Sequence, residues 1–393
     1  MSGGAATEAE LDAEAMLPEE AFGAALAGLD AMTPRRLWLL ARAGGSLRAL
    51  WRAILSGEPG DHVPLGHLIR EAPELTATWS RSAARVEVTA LWDRCIRGPA
   101  DAVSIVGRPG YPADLADDPL PPGVLFTRGS LDALTSPSVA IIGTRHATVG
   151  GMEVAAALGR ELASAGIAVV SGLAKGIDGA AHRGALSADH GAAPIAVVGS
   201  GLDTVYPRCN TGLWEEVGRR GLLCSEVPPG TAPAAHRFPA RNRIIAALAD
   251  AVVVVESRAR GGSLLTVSEA GSRGVPVMAV PGSVRSPASE GTNFLLVDGA
   301  TPVVDALDVL VTLGLEARPS QRRRRRDRRP APAPGDRELL ELFGADALTL
   351  DTVVLRAGRP LPEVAVALGR LEVAGWLVRS GAWFERTGAR GRT

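Results

Sequence analysis

A chain of 393 residues with a formal charge of −1 is long enough for two or three domains with a full hydrophobic core. Cys95, Cys209 and Cys224 show no paired spacing, which argues against a disulfide framework or a zinc site and fits a reducing cytosol. The start, MSGGAATEAELDAEAM, lacks an apolar core segment, and no run approaches the roughly 18 apolar residues of a bilayer span, so a cytoplasmic protein is expected.

Residues 1–20 are acidic and rich in Gly and Ala, and read as a disordered tail. A small helical domain is expected over 21–100, where FGAALAGLDAM, PRRLWLLARAGG and LRALWRAIL carry apolar residues at helical spacing around a break at Gly44-Gly45. Trp38, Trp51, Trp79 and Trp92 fit as its core anchors. Short helices around a Gly-Gly turn are similar to helix-hairpin-helix DNA modules.

Residues 103–135 are turn-rich and read as a connector leading into an edge strand at 124–127. Over 101–315 the pattern becomes α/β. Strands are expected at 139–142, 167–170, 194–198, 222–226, 251–256 and 277–280, with helices near 151–165 and 177–188, which predicts a doubly wound, mostly parallel sheet. Val252 to Val255 is an uninterrupted β-branched run, the mark of a central strand covered on both faces.

Four strands end in glycine turns that should share the ligand-binding edge of such a sheet. They are Gly143-Thr144-Arg145, Gly172 to Gly176 with Lys175, Gly199-Ser200-Gly201, and Gly261-Gly262-Ser263 at a helix start, where free N–H groups favour an anion. The first turn is not G-x-G-x-x-G and the third lacks its last glycine, so no nicotinamide or flavin cofactor is expected. Arg241, Asn242 and Arg243 fall at the start of another helix. Those arginines either cover the helix stem and pair with carboxylates, or join Arg145 and Lys175 in a cationic rim for successive phosphates.

Among 41 arginines Lys175 is the single lysine, and Asn210, Asn242 and Asn293 are the three asparagines. All four lie between 175 and 293, which marks that segment for exacting chemistry. Asp178 and His182 stand four apart on one helix face, as metal ligands or as a structural pair; without a third ligand no metal is expected. His236 lines either the groove or a loop. No G-x-S-x-G elbow is present to mark a serine nucleophile.

Residues 316–334 hold eight arginines between Arg318 and Arg329 and then a Pro-Ala tract, a linker that serves as spacer or as nonspecific phosphate attractant. Residues 335–388 read as a winged helix, with Val364, Leu368 and Leu371 on the buried face of its third helix. That helix normally reads the major groove. Here its charges are Glu363, Arg370 and Glu372, so a protein contact is as well supported as duplex binding.

The segments AIIGTRHATVGG, SGLAKGIDGAAHRGAL, GSGLDTVYPRCN, CSEVPPGTAPAAHRFPARNRIIAAL, VVVVESRARGGSLLTVSEA and VPVMAVPGSVRSPASEGTNFLL occur in this order over about 105–313. Together they resemble the DprA/Smf family of DNA-processing proteins. The resemblance implies an extended Rossmann-like fold and a homodimer that binds and protects single-stranded DNA. It also implies loading of the RecA recombinase in natural transformation and recombination, with a single-strand-binding protein as a further partner. By motif, phosphate contacts fall to Gly143, Thr144, Arg145, Lys175, Ser200, Gly201, Arg241, Asn242 and Arg243, with Gly262 and Ser263 closing the pocket. Phe238 either stacks on a base or anchors the Phe-Pro turn. The Arg-rich linker departs from the family pattern. A binding protein without covalent chemistry is therefore expected. The alternative is an enzyme: GGSLLTVSEA resembles the PGGxGTxxE motif of nucleotide phosphoribohydrolases, with Glu269 as catalytic carboxylate, although the spacing is one residue longer and Arg260 replaces the proline.

Overall fold

The structure, a computed structural model, describes residues 14, 16–58, 62–98, 100, 102–315, 329–343 and 347–387. Its centre is a nine-stranded sheet of β1 (Ala102–Ile105), β2 (Val124–Gly129), β3 (Ser138–Ile142), β4 (Ala168–Ser171), β5 (Ile195–Val198), β6 (Leu222–Ser225), β7 (Ala251–Val254), β8 (Val277–Ala279) and β9 (Thr301–Pro302). In space they run β1-β2-β6-β5-β4-β3-β7-β8-β9. From β6 to β9 every neighbouring pair is parallel, whereas β2 pairs antiparallel with both β1 and β6.

The inner strands β3, β4, β5 and β7 are short apolar runs buried at every residue, as helices on both faces require. Alternate side chains enter opposite layers. Val139, Ile141, Val169 and Val253 meet Leu158, Leu162 and Ala181 of the helices Val149–Ser164 and Ile177–Leu186. On the other face Ala140, Ile142, Val170, Val252 and Val254 meet Ile244 and Ile245 of the helix Arg237–Ala247. The chain lays β4, β5 and β6 to one side of β3, then returns to place β7 on its other side. The carboxyl ends of β3 and β7 therefore flank a topological switch point, where ligands of such sheets bind.

Two expectations change near the front of the chain. The connector contains β1, so the edge is β1 and β2 lies inside it. Four residues of which Ile105 alone is buried, followed by Gly107, Pro109 and Gly110, gave no strand period to read. The acidic tail also ends earlier than residue 20, because a helix begins at Glu19; residues 1–13 and 15 lie outside the described residues.

Among the described residues six helices between Glu19 and Arg97 make the front of the molecule, with Trp51 and Trp79 fully buried and Trp38 and Trp92 packed against the same core. That core continues into Val124, Phe126 and Trp214, so the helical front is built onto the sheet's β1–β2 side. The helix Leu47–Ser56, which follows Gly44-Gly45, has its amino terminus filled from within. The Glu19 carboxylate accepts from the Leu47 N–H and from the Ser46 hydroxyl at 2.8 Å, and Arg108 pairs with it at 3.2 Å. A phosphate at this helix terminus would have to displace that carboxylate.

The tail is a winged helix. Helices Pro334–Glu341, Leu350–Ala357 and Leu361–Val373 pack with a small sheet of β10 (Leu348–Thr349), β11 (Leu377–Ser380) and β12 (Trp383–Arg386). Val364, Leu368 and Leu371 form the buried face of the third helix. Arg370 pairs with Asp336 at 2.5 Å, which leaves Glu363 and Glu372 as the other charges of that helix and Val366 and Val373 exposed beside them. Arg329 stacks over Trp376 with its guanidinium 3.8 Å from the ring centroid. The other arginines of the linker lie outside the described residues.

Candidate nucleic-acid interface

At the switch point a cleft of about 690 Å³ opens between the β3 turn, the start of the Arg237–Ala247 helix and the turn before the helix Ser263–Ser272. Its β3 wall is fixed by close backbone contact. A Cβ on Gly143 would lie 2.5 Å from Ile177 Cγ1 and 2.8 Å from the Glu256 carbonyl, so only glycine fits. The Thr144 N–H donates to the Glu256 carbonyl at 2.8 Å, and the Thr144 carbonyl accepts from Ile177 N–H. Gly143 and Thr144 thus shape the wall, and Arg145 at its crest is exposed, with its guanidinium 4.9 Å from the Phe238 ring centroid. Lys175 is exposed on the adjoining turn, outside the cleft lining.

Arg241 forms the floor. It is only 7 % exposed, and its guanidinium donates to the Val197 carbonyl and, through Nε, to Asn242 Oδ1 at 3.1 Å. Any side chain on Gly172 would collide with that guanidinium, so the second glycine turn exists to admit an arginine. Burial pulls Arg241 down to about 10, while neighbouring Asp178 opposes the shift. Burial likewise pushes the Asp178 carboxyl up, against the pull of Arg241 and of hydrogen bonds from the backbone, including Gly172 N–H at 3.2 Å. Asn242 lines the cleft beside Arg241.

Three residues expected at the phosphates are held elsewhere. Arg243 follows Arg241 by two helical positions, about 200° around the axis, and so points to the opposite side. It is 4 % exposed and paired with Glu226, whose carboxyl burial pushes up and Arg243 draws back. Ser200 is buried, with its hydroxyl donating to the Thr204 carbonyl at 2.7 Å, and the Gly201 N–H donates to the Thr231 carbonyl at 2.9 Å. These two brace a loop and do not line the cleft.

The far wall is the amino terminus of the Ser263–Ser272 helix. No side chain caps it, Gly262 is exposed, and the Ser263 hydroxyl is engaged by Ser257 at 2.9 Å. The Leu264 and Leu265 N–H groups donate back to the Gly261 and Gly262 carbonyls at 3.1 and 3.3 Å, so the helix offers an anion its positive end and, among the described residues, the N–H groups of Gly262 and Ser263. Phe238 lies across the mouth with Tyr206 against it, ring centroids 5.3 Å apart.

The sequence reading missed Tyr206, Arg258 and Arg260, which all line the cleft. Two arginines immediately before Gly261-Gly262 were the legible signal for the latter pair. Among the described residues Arg145, Arg258 and Arg260 have no ion-pair partner. His236 is exposed and outside the lining. His182 is buried, and its Nε2 must donate to the Ile195 carbonyl at 3.2 Å, since a carbonyl only accepts. It therefore serves the helix, while Asp178 serves Arg241. Glu269 lies on the outer part of the Ser263–Ser272 helix, paired with Arg273 at 2.5 Å and outside the cleft. Arg273 also holds the buried Asp118 at 2.6 Å.

Among the described residues no helix is long and apolar enough to cross a membrane. The model of DNA recombination-mediator protein A matches residues 102–314, and that of the DprA winged helix domain matches 324–382. Protein Smf of Escherichia coli is 38% identical over 273 residues, 68% of this chain and 72% of that protein. A putative DNA processing protein DprA of Mycobacterium tuberculosis is 40% identical over 267 residues, 67% of this chain and 68% of that protein. The X-ray structure of DNA processing protein A from Streptococcus pneumoniae superposes with a TM-score of 0.56 at 33% identity, covering 71% of this chain and 98% of that one. With the family model spanning more than half of the chain and its site lying at the switch point of a Rossmann-like sheet, this protein belongs to the DprA/Smf family of DNA recombination-mediator proteins.

Proposed function

We propose that the switch-point cleft binds single-stranded DNA and that the protein acts in the cytoplasm as a recombination mediator, protecting the strand and delivering it to the RecA recombinase with a single-strand-binding protein as a further partner. One observation carries the reading: three exposed arginines, Arg145, Arg258 and Arg260, ring an uncapped helix terminus, with Arg241 and Asn242 at the floor. Backbone donors and exposed cations at such spacing suit a chain of phosphates. The aromatic pair at the mouth favours a single strand, because a base can meet a ring only after leaving the duplex stack. Lys175 adds charge at the rim, and Gly143, Thr144, Gly262 and Ser263 set the walls.

A second copy would associate through the elements beside β9. There Phe294, Val297, Val304, Leu307 and Val311 are all exposed, an apolar surface of the kind that marks protein contacts. For the phosphoribohydrolase alternative, Glu269 would have to leave Arg273 and enter a cleft whose lining does not include it.

Fluorescence anisotropy with labelled single strands and duplexes at two salt concentrations tests the proposal. Single strands should bind more tightly, and Arg145→Ala should weaken all sequences alike while flattening the log–log salt slope by about 0.7. Unchanged affinity and slope in Arg145→Ala would remove the cleft from the strand's path.

A further inference from the structure

Tyr206 is 41 % exposed at the mouth of the cleft, in a chain with two tyrosines in all. An aromatic ring that packs usually buries its body and finds a partner for its polar tip. Among the described residues the Tyr206 hydroxyl has no hydrogen bond. The other tyrosine, Tyr111, shows the usual arrangement, half-buried with its hydroxyl donating to the Pro122 carbonyl at 2.7 Å.

Phe238 is differently placed. It is half-buried between Tyr206 and the Arg145 guanidinium, so its ring is already in contact with two neighbours of its own chain. Of the two rings, Tyr206 is the one that offers surface to a ligand.

The loop carrying Tyr206 is tied down on both sides. Before it, the Ser200 hydroxyl binds the Thr204 carbonyl, the Gly201 N–H binds the Thr231 carbonyl, and the Asp203 carboxylate accepts from Gly230 N–H at 2.7 Å. After it, the Asn210 amide donates to the Leu173 and Ala174 carbonyls at 2.9 and 3.2 Å. A ring held out in water by so many internal bonds is preorganised, and a ligand that stacks on it does not have to order it.

We infer that Tyr206 is a base-stacking platform of this site, with Phe238 as its support and Ser200, Gly201 and Asn210 as positioning residues that fix its loop. The inference rests on the single-strand reading above and adds which of the two rings at the mouth carries the base. The base needs only an open π-face, so the contribution is common to all four bases.

The test uses the full chain and two oligonucleotides of equal length, oligothymidine and its abasic counterpart, which carries the same phosphates without bases. The wild type should bind the base-bearing strand about tenfold more tightly. Tyr206→Ala should abolish that preference while keeping the abasic affinity and the salt slope, and Tyr206→Phe should restore it. Two outcomes overturn the inference: Tyr206→Ala retains the preference, which would give stacking to Phe238, or it loses affinity equally for both strands, which would make Tyr206 a support of the phosphate path. A wild type that binds neither strand overturns the underlying reading instead.

Discussion

Arg241 and Arg243 have the same chemistry and nearly the same burial, yet one belongs to the cleft and the other to the scaffold. The family resemblance placed both near phosphates, while the residues alone left carboxylate pairing open for either. The helix turn between them divides them, and what decides is a partner, Glu226, that lies 17 residues away in the chain. Arg243→Ala should therefore leave Glu226 buried without its counter-charge and destabilise the fold by about 3–5 kcal/mol, read as a lower urea midpoint. Arg145→Ala, by contrast, removes an exposed side chain and should leave that midpoint unchanged while lowering single-strand affinity. The rare lysine and asparagines were legible as marks of constrained positions, but of two kinds. Lys175 and Asn242 lie at the rim and floor, whereas Asn210 and Asn293 staple loops, Asn293 by bonding both polar groups of Gly282 at 3.2 Å. Composition could flag all four and could not sort the asparagines, because both roles demand the same amide geometry.

At the level of elements, the alternating apolar runs made β3 to β8 legible, and the rule for doubly wound sheets located the site at their carboxyl ends. Which turns face the ligand was not legible, since it depends on whether a neighbouring loop takes up the donors first, as Thr231 does for Gly201. The helix Ile177–Leu186 illustrates how one buried side chain ties an element to the sheet. His182 joins it to β5, and burial draws the imidazole down to about 4. Because the folded value lies below the ordinary 6.5, its stabilising effect is complete above about pH 6.5 and is lost as pH falls toward 4, about 3 kcal/mol at most. Asp178, Glu226 and Glu256 act in the opposite sense, since burial raises each of them and protonation relieves it. The useful measurement is hence a difference: between pH 7.5 and 4.5 the wild type should lose more stability than His182→Gln, by roughly that amount.

For the molecule as a whole, three regions that looked separate in sequence behave differently in packing. The helical front shares a core with β1, β2 and β6, whereas the winged helix has a core of its own. Its third helix offers Val366 and Val373 and an arginine already bonded to Asp336, a poor complement to a phosphate backbone. Ending the chain after Pro332 should therefore change single-strand affinity by no more than about twofold at moderate salt, whereas a tenfold loss would give the tail a share of the binding. The proposed dimer predicts that Val297→Glu with Val311→Glu, at two of the bare apolar positions beside β9, converts the protein to a monomer by light scattering.

The two margins of the great sheet are unlike. On one, the antiparallel hairpin of β1 and β2 is sheathed by the helical front; on the other, β9 offers two residues and an unclothed greasy flank. The proposed dimer would thus use one end of each copy, and a contact that meets its own image about a twofold axis closes upon itself. Such a closed pair would cover the flank beside β9 and leave no second apolar margin on the sheet for growth into fibres, the ordinary hazard of a wide β-structure.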